Sequence, residues 1–122
     1  MNAEQAKFTL DLFAPGLEHE SQITRKVIAA IPEAKHSYKP DPSSRTALEL
    51  AQHIATVDVW FLNGIASGAF SQDESTPAGL DTIAGVLAFY DREFPKALAK
   101  VKAKPAEKLA QPISWGCSTT LE

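Results

Sequence analysis

Residues 46–66 read TALELAQHIATVDVWFLNGIA, and the fold turns on the period of this stretch. Ala47, Leu50, Ala51, Ile54, Val57, Phe61 and Ile65 recur every three or four positions, the repeat of one face of an α-helix, whereas a half-buried strand alternates every second residue. Glu49, Gln52, Thr56 and Asn63 lie largely off that face, so the pattern predicts an amphipathic helix over 46–66. The preceding Pro40-Asp41-Pro42-Ser43-Ser44 is turn chemistry, and Ser44 is placed to cap the helix by accepting a bond from a free backbone N–H.

The same period extends in both directions. Upstream, Ile23, Val27, Ala30 and Ile31 predict a helix over 17–31 that stops at Pro32, preceded by a short lead-in helix, Phe8 to Phe13, that ends at Pro15-Gly16. Downstream, residues 68–79 read GAFSQDESTPAG, a polar connection longer than the ~2–8 residues that join simple antiparallel helices. That length suits a crossover running the height of a bundle. Thr76 followed by Pro77 is a good N-cap and first-turn pair, because proline lacks an N–H that would be unsatisfied there anyway. A third helix over 78–102 then carries Leu80, Ile83, Leu87, Tyr90, Phe94, Leu98 and Val101; Pro95 should kink it rather than stop it, since the apolar spacing continues beyond. A short helical turn over 105–110 follows, and the remainder shows no period. Three amphipathic helices without a strand predict an all-α bundle that lacks one wall.

Composition narrows the function classes. A chain of 122 residues fits one domain, taken as 1–122, with a core of its own and room for one site. With 44% hydrophobic and 22% charged residues it is ordinary for a globular protein, and no apolar run approaches the ~18 residues of a membrane span. The start, MNAEQAKF, has no basic segment leading into an apolar one, so a cytoplasmic location is expected. A net charge of −3 argues against nucleic acid as a partner. Lys96, Lys100, Lys102, Lys104 and Lys108 concentrate late in the chain at the spacing of a solvated helix flank. The lone Cys117 forms no internal disulfide.

At this point the run from Ile23 to Phe70 is similar to the opening half of DinB-family proteins. In them a helix ending in an Ile-Pro or Leu-Pro pair leads through a Pro-rich turn into a helix with a Leu-x-x-His-Ile core and an aromatic about seven residues later. The matching residues are Ile31-Pro32, Pro40 to Ser44, Leu50, His53-Ile54 and Trp60; LAFYDREFPKALAKVKAKPAEKLAQPISWG, residues 87–116, resembles the family's third helix and the loop after it. The resemblance covers about Leu17 to Gly116. It implies an up-down-down-up four-helix bundle, frequent homodimers, and a divalent metal, commonly zinc or nickel, held by three histidines. One of these comes from the second helix and two from a His-x-x-x-His pair on the fourth. Some members are thiol S-transferases. By position His53 corresponds to the second-helix ligand. After Gly116 the family would enter its fourth helix, whereas this sequence continues CSTTLE with no histidine beyond His53. The expectation is therefore a DinB-like bundle with its fourth helix missing or supplied by another chain.

A zinc-type catalytic site needs about three protein ligands and an open position. His53, three residues after Leu50 and four before Val57, is expected on the apolar face and out of solvent, either as a hydrogen-bonded core histidine or as a metal ligand completed elsewhere. His19 and Glu20 would converge with His53 if the first two helices pack side by side; otherwise they are surface residues, as His36 is by default. Cys117 has no neighbouring cation or helix terminus in the sequence to activate it. Trp60, Phe61, Tyr90 and Phe94 read first as core and second as a pocket lining, and Asp91-Arg92-Glu93 as a solvated charge run. No phosphate loop or nucleophile elbow is present. Two functions compete: a metal-dependent thiol transferase or hydrolase left inactive by an incomplete triad, and a non-catalytic oligomerising bundle that binds a partner or a small apolar ligand. The open seam, with Leu50, Val57, Phe61, Leu87 and Phe94, predicts a homodimer. The substrate is beyond the sequence.

Overall fold

The computed structural model describes residues 1–73 and 75–114. Among these residues four helices follow one another: α1 (Ala3–Ala29), α2 (Ala47–Ser67), α3 (Ile83–Lys102) and the short α4 (Ala106–Leu109), with a 3-10 turn at Glu33–Lys35 between the first two. No strand forms among the described residues; a single bridge pairs Ala69 with Ser114.

The predicted break at Pro15-Gly16 is absent, and the lead-in and first helix are one element. Asn2 and Gln5 form a capping box at its start, and Pro15 costs the helix one backbone bond. Ala6, Ala14, Ser21 and Ile28 are buried, with Leu10 half-buried among them. These positions stay in phase on both sides of the proline, so packing carries the helix across it.

The second helix begins where expected, but its cap is Thr46 rather than Ser44. Thr46 accepts from the Glu49 N–H at 3.0 Å while Glu49 accepts from the Thr46 N–H at 3.3 Å, a reciprocal capping box. Ser44 instead donates to Asp41 inside the turn. Gly68 ends the helix in the left-handed region at φ 84°, which a side chain would disfavour.

The third helix starts five residues later than the 78–102 expectation. Thr82 is its N-cap, accepting from the Gly85 N–H at 2.9 Å, and a second cap arrives from far away in the chain. The Glu33 carboxylate accepts from the N–H groups of Ile83 and Ala84 at 3.2 and 2.8 Å, placing a negative charge on the positive end of the helix. Two caps at Ile83 outcompete the Thr76-Pro77 signal. The helix runs through Pro95 to Lys102, as the continuing apolar stripe requires.

Cross-helix bonds set the directions. Arg25 pairs with Asp91, and Glu18 with Lys102, so α1 and α3 run antiparallel. Gln52 reaches the Leu80 carbonyl, Asp58 meets Tyr90, and Lys104 reaches the Ile65 carbonyl, so α2 and α3 run parallel. A parallel neighbour demands a return path along the bundle, which residues 68–82 provide. The order is up, down, down. Central α3 packs against both α1 and α2, while α1 and α2 barely touch and α4 lies against α1.

The core is built from Ile28, from Ala51, Ala55, Val59 and Leu62 of α2, and from Val86, Tyr90, Phe94, Leu98 and Val101 of α3. Small residues on α2 let it approach α3 closely, and the large side chains of α3 fill the space between. The predicted seam is corrected accordingly. Phe94 is buried within the chain, whereas Leu50 and Phe61 are exposed.

Candidate functional site

Turning the core stripe of α2 toward α3 leaves an opposite stripe at helical spacing, on which His53 is exposed, Val57 and Trp60 are half-buried and Gly64 is buried. This stripe is one wall of an open cleft of about 1680 Å³. Gly68, Ser71, Asp73 and Thr76 of the connection, Phe89, Glu93 and Lys100 of α3, and Lys104 and Lys108 contribute to the other walls. The volume exceeds the ~300–1,000 Å³ of a pocket that encloses a small ligand.

His53 is exposed on this wall, not held out of solvent on the apolar face as its neighbours Leu50 and Val57 implied. The helix carries two apolar stripes, and the one nearer His53 is not the one that packs. His19 and Glu20 are exposed on α1, and because α1 and α2 barely touch they do not join His53. His36 lies half-buried with its Nδ1 4.0 Å from Glu33. Among the described residues no three of His, Cys, Asp and Glu gather closely enough to hold a metal ion. The donors among the described residues therefore do not by themselves make a site for zinc or nickel, which takes about three protein ligands. Trp115 and Cys117 lie outside the described residues.

The aromatic wall is well anchored. Trp60 packs on Phe61 and Phe70 with ring centroids 4.9 and 4.6 Å away, and its indole N–H donates to the Ser71 carbonyl at 2.9 Å. Phe70 sits over Gly64, where a Cβ would come within 2.3 Å of the ring. Trp60 thus lines the opening and Phe61 is exposed beside it, whereas Tyr90 and Phe94 are core.

The rim is mostly basic. Lys104 donates to the Ile65 carbonyl at 2.6 Å, near the end of α2, and Arg45, Lys100 and Lys108 line the same opening. A hydrogen bond from the Arg92 side chain holds the Glu93 carboxyl below the usual carboxylate range, with Lys96 and Lys100 adding to it. Asp73 is lowered as well, by bonds from Ser75.

Two connections carried no sequence signal. The Asp91 carboxylate receives two bonds from the Arg25 guanidinium, at 2.6 and 2.9 Å, so this member of the charge run ties helices together. The Tyr90 hydroxyl donates to Asp58 at 2.8 Å. Burial first, then that bond and the Asp58 charge, push the Tyr90 phenol well above its ordinary value.

Among the described residues, no helix is long and apolar enough to cross a membrane. The family model of the DinB superfamily matches residues 17–120. No curated protein and no solved structure matches the chain.

Proposed function

The chain belongs to the DinB superfamily, and from that premise we propose that it is a DinB-type binding module, non-catalytic as a single chain. Its cleft takes an elongated apolar ligand bearing anionic groups. The observation that carries this reading is the composition of the cleft: an aromatic wall at Trp60 under a rim of Arg45, Lys100, Lys104 and Lys108. Apolar area supplies affinity there, and the cations orient an anionic group. The metal-dependent thiol-transferase or hydrolase chemistry that the family resemblance suggests requires partners for His53 beyond the described residues. That second reading is favoured by one feature, the exposure of His53 on the cleft wall, where ligands from elsewhere could reach it.

Two measurements separate the readings. An anionic apolar dye, anilinonaphthalene sulfonate, should bind saturably, and Trp60→Ala and Lys100→Glu should each weaken it; binding indifferent to both substitutions would refute the cleft. After dialysis the full chain should hold far less than one zinc or nickel ion, with no change on His53→Ala. A full equivalent lost on that substitution would establish the metal-dependent reading instead.

A further inference from the structure

Positive charge is left unpaired around the cleft. Among the described residues its lining carries the cations Arg45, Lys100, Lys104 and Lys108 against the carboxylates Asp73 and Glu93. Both carboxylates are already engaged: Glu93 pairs with Arg92 at 2.9 Å, and Asp73 accepts from the Ser75 N–H at 2.9 Å. Arg45, Lys100 and Lys108 form no ion pair among the described residues, and Lys104 is held by a carbonyl rather than a carboxylate. These cations stand at two ends. Arg45 precedes the N-cap of α2, whereas Lys104 bonds to the carbonyl of Ile65 in the last turn of that helix. Between Ala47 and Ile65 the helix rises about 27 Å at ~1.5 Å per residue. The wall between the ends is mixed: Val57 and Trp60 are its apolar centre, and Thr56, Asn63 and Ser71 bring polar groups to the same surface.

We propose that the cleft binds an extended acidic segment of another protein, with carboxylates toward both ends and a large apolar side chain at its middle. The inference rests on the cleft reading above and narrows its ligand to a peptide. The polar wall separates a peptide from an amphiphile with a single anionic head. An apolar tail laid along Thr56, Asn63 and Ser71 would strip water from them and offer no hydrogen bond in exchange, whereas a peptide backbone presents a donor and an acceptor at nearly every residue. The placement of charge points the same way. One head group can occupy only one of two cationic ends about 27 Å apart, while about eight extended residues span that distance at ~3.3 Å each. In this arrangement the central apolar side chain docks on Trp60 as the anchor, and the terminal carboxylates fix the register along α2.

Fluorescence anisotropy with a labelled ten-residue peptide, three glutamates on each side of Gly-Leu-Phe-Gly, tests this. The peptide should bind the full chain saturably and more weakly as salt is raised. Arg45→Glu and Lys100→Glu, both at exposed positions, should each weaken binding about tenfold with unchanged circular dichroism. A peptide whose glutamates at one end are replaced by glutamines should respond to only one of the two reversals, because each end faces its own cations. Dodecanoate, with one carboxylate, should displace the peptide only in large excess. Absence of saturable binding, indifference to either reversal, equal response of the one-ended peptide to both, or displacement by equimolar dodecanoate would overturn the proposal. If the naphthalene dye then still binds through Trp60 and Lys100, the cleft reading stands and only its peptide ligand is lost; dye and peptide failing together would remove both.

Discussion

Asp41 shows how much local geometry a single exposed carboxylate can organise. It accepts from the backbone N–H and hydroxyl of Ser43, at 2.9 and 2.6 Å, and from the hydroxyl of Ser44 at 2.6 Å. These bonds, the Ser43 hydroxyl first, hold its pKa at about 2 against an ordinary 3.8. A depressed folded-state pKa stabilises the turn above the unfolded value, and that contribution fades as pH falls from about 4 toward 2. The Ser43 amide resonance should follow this titration, and Asp41→Asn should abolish it. Tyr90 has the opposite sign. Its raised pKa means the neutral phenol is favoured in the fold, so its contribution is complete below about pH 10 and is lost as alkaline pH ionises the phenol. Tyr90→Phe should cost about 1.5–3 kcal/mol in urea unfolding at neutral pH, the range for a hydrogen bond to a charged group, and should flatten the alkaline limb of stability. Neither residue announced its role in the sequence. Asp41 was legible as turn chemistry, but the Tyr90 partnership with Asp58 exists only because α2 and α3 run parallel. His53 was misread in orientation for the same reason: which stripe of α2 packs is decided by α3.

At the scale of elements, helix type was written in the period and helix limits were not. Local caps compete, and the winner depends on what arrives from elsewhere: Glu33 selects Ile83 as the start of α3 because the turn after α1 lies against it. Glu33→Ala should therefore destabilise the fold by about 0.5–2 kcal/mol, the usual worth of an N-cap, and loosen the amides of Ile83 and Ala84 in hydrogen exchange. Pro15 was read as a break because propensity is local, whereas the apolar phase that carries α1 across it spans the whole helix. The small residues of α2 were likewise undervalued: Ala51 and Ala55 look weakly apolar beside Leu50 and Phe61, yet close approach to α3 needs their size. Gly64 makes the same point at the cleft. Gly64→Ala would drive a methyl group into Phe70, and the ring can yield only by leaving Trp60. A cost of about 1–3 kcal/mol, typical of overpacking, is expected in thermal unfolding, together with a shift in Trp60 fluorescence as the wall opens.

For the whole molecule, the decisive feature is that one helix serves as hub. Central α3 contacts both α1 and α2, and these scarcely contact each other, so the layer is open on its flanks and stability is unevenly spread. The part of α1 before Ala14 extends beyond the ion pairs that fasten α1 to α3, Glu18 with Lys102 and Arg25 with Asp91. In that part Leu10 packs against the core, and α1 also meets α4, a single turn of four residues. Few buried apolar contacts and an exposed outer face are the conditions for low-energy local opening. Hydrogen exchange on dilute protein should accordingly show the amides of Lys7 to Phe13 exchanging well before those of Ala55 to Leu62 and Phe89 to Leu98, which open only with the entire fold. Charge reversal at the fastening points tests the cause. Arg25→Glu leaves two carboxylates facing each other at the Asp91 contact, and it should accelerate exchange over much of α1 while sparing the α2 and α3 amides. Uniform protection across all three helices would mean that α1 is held by more than α3 and α4 provide, and would sink the hub description.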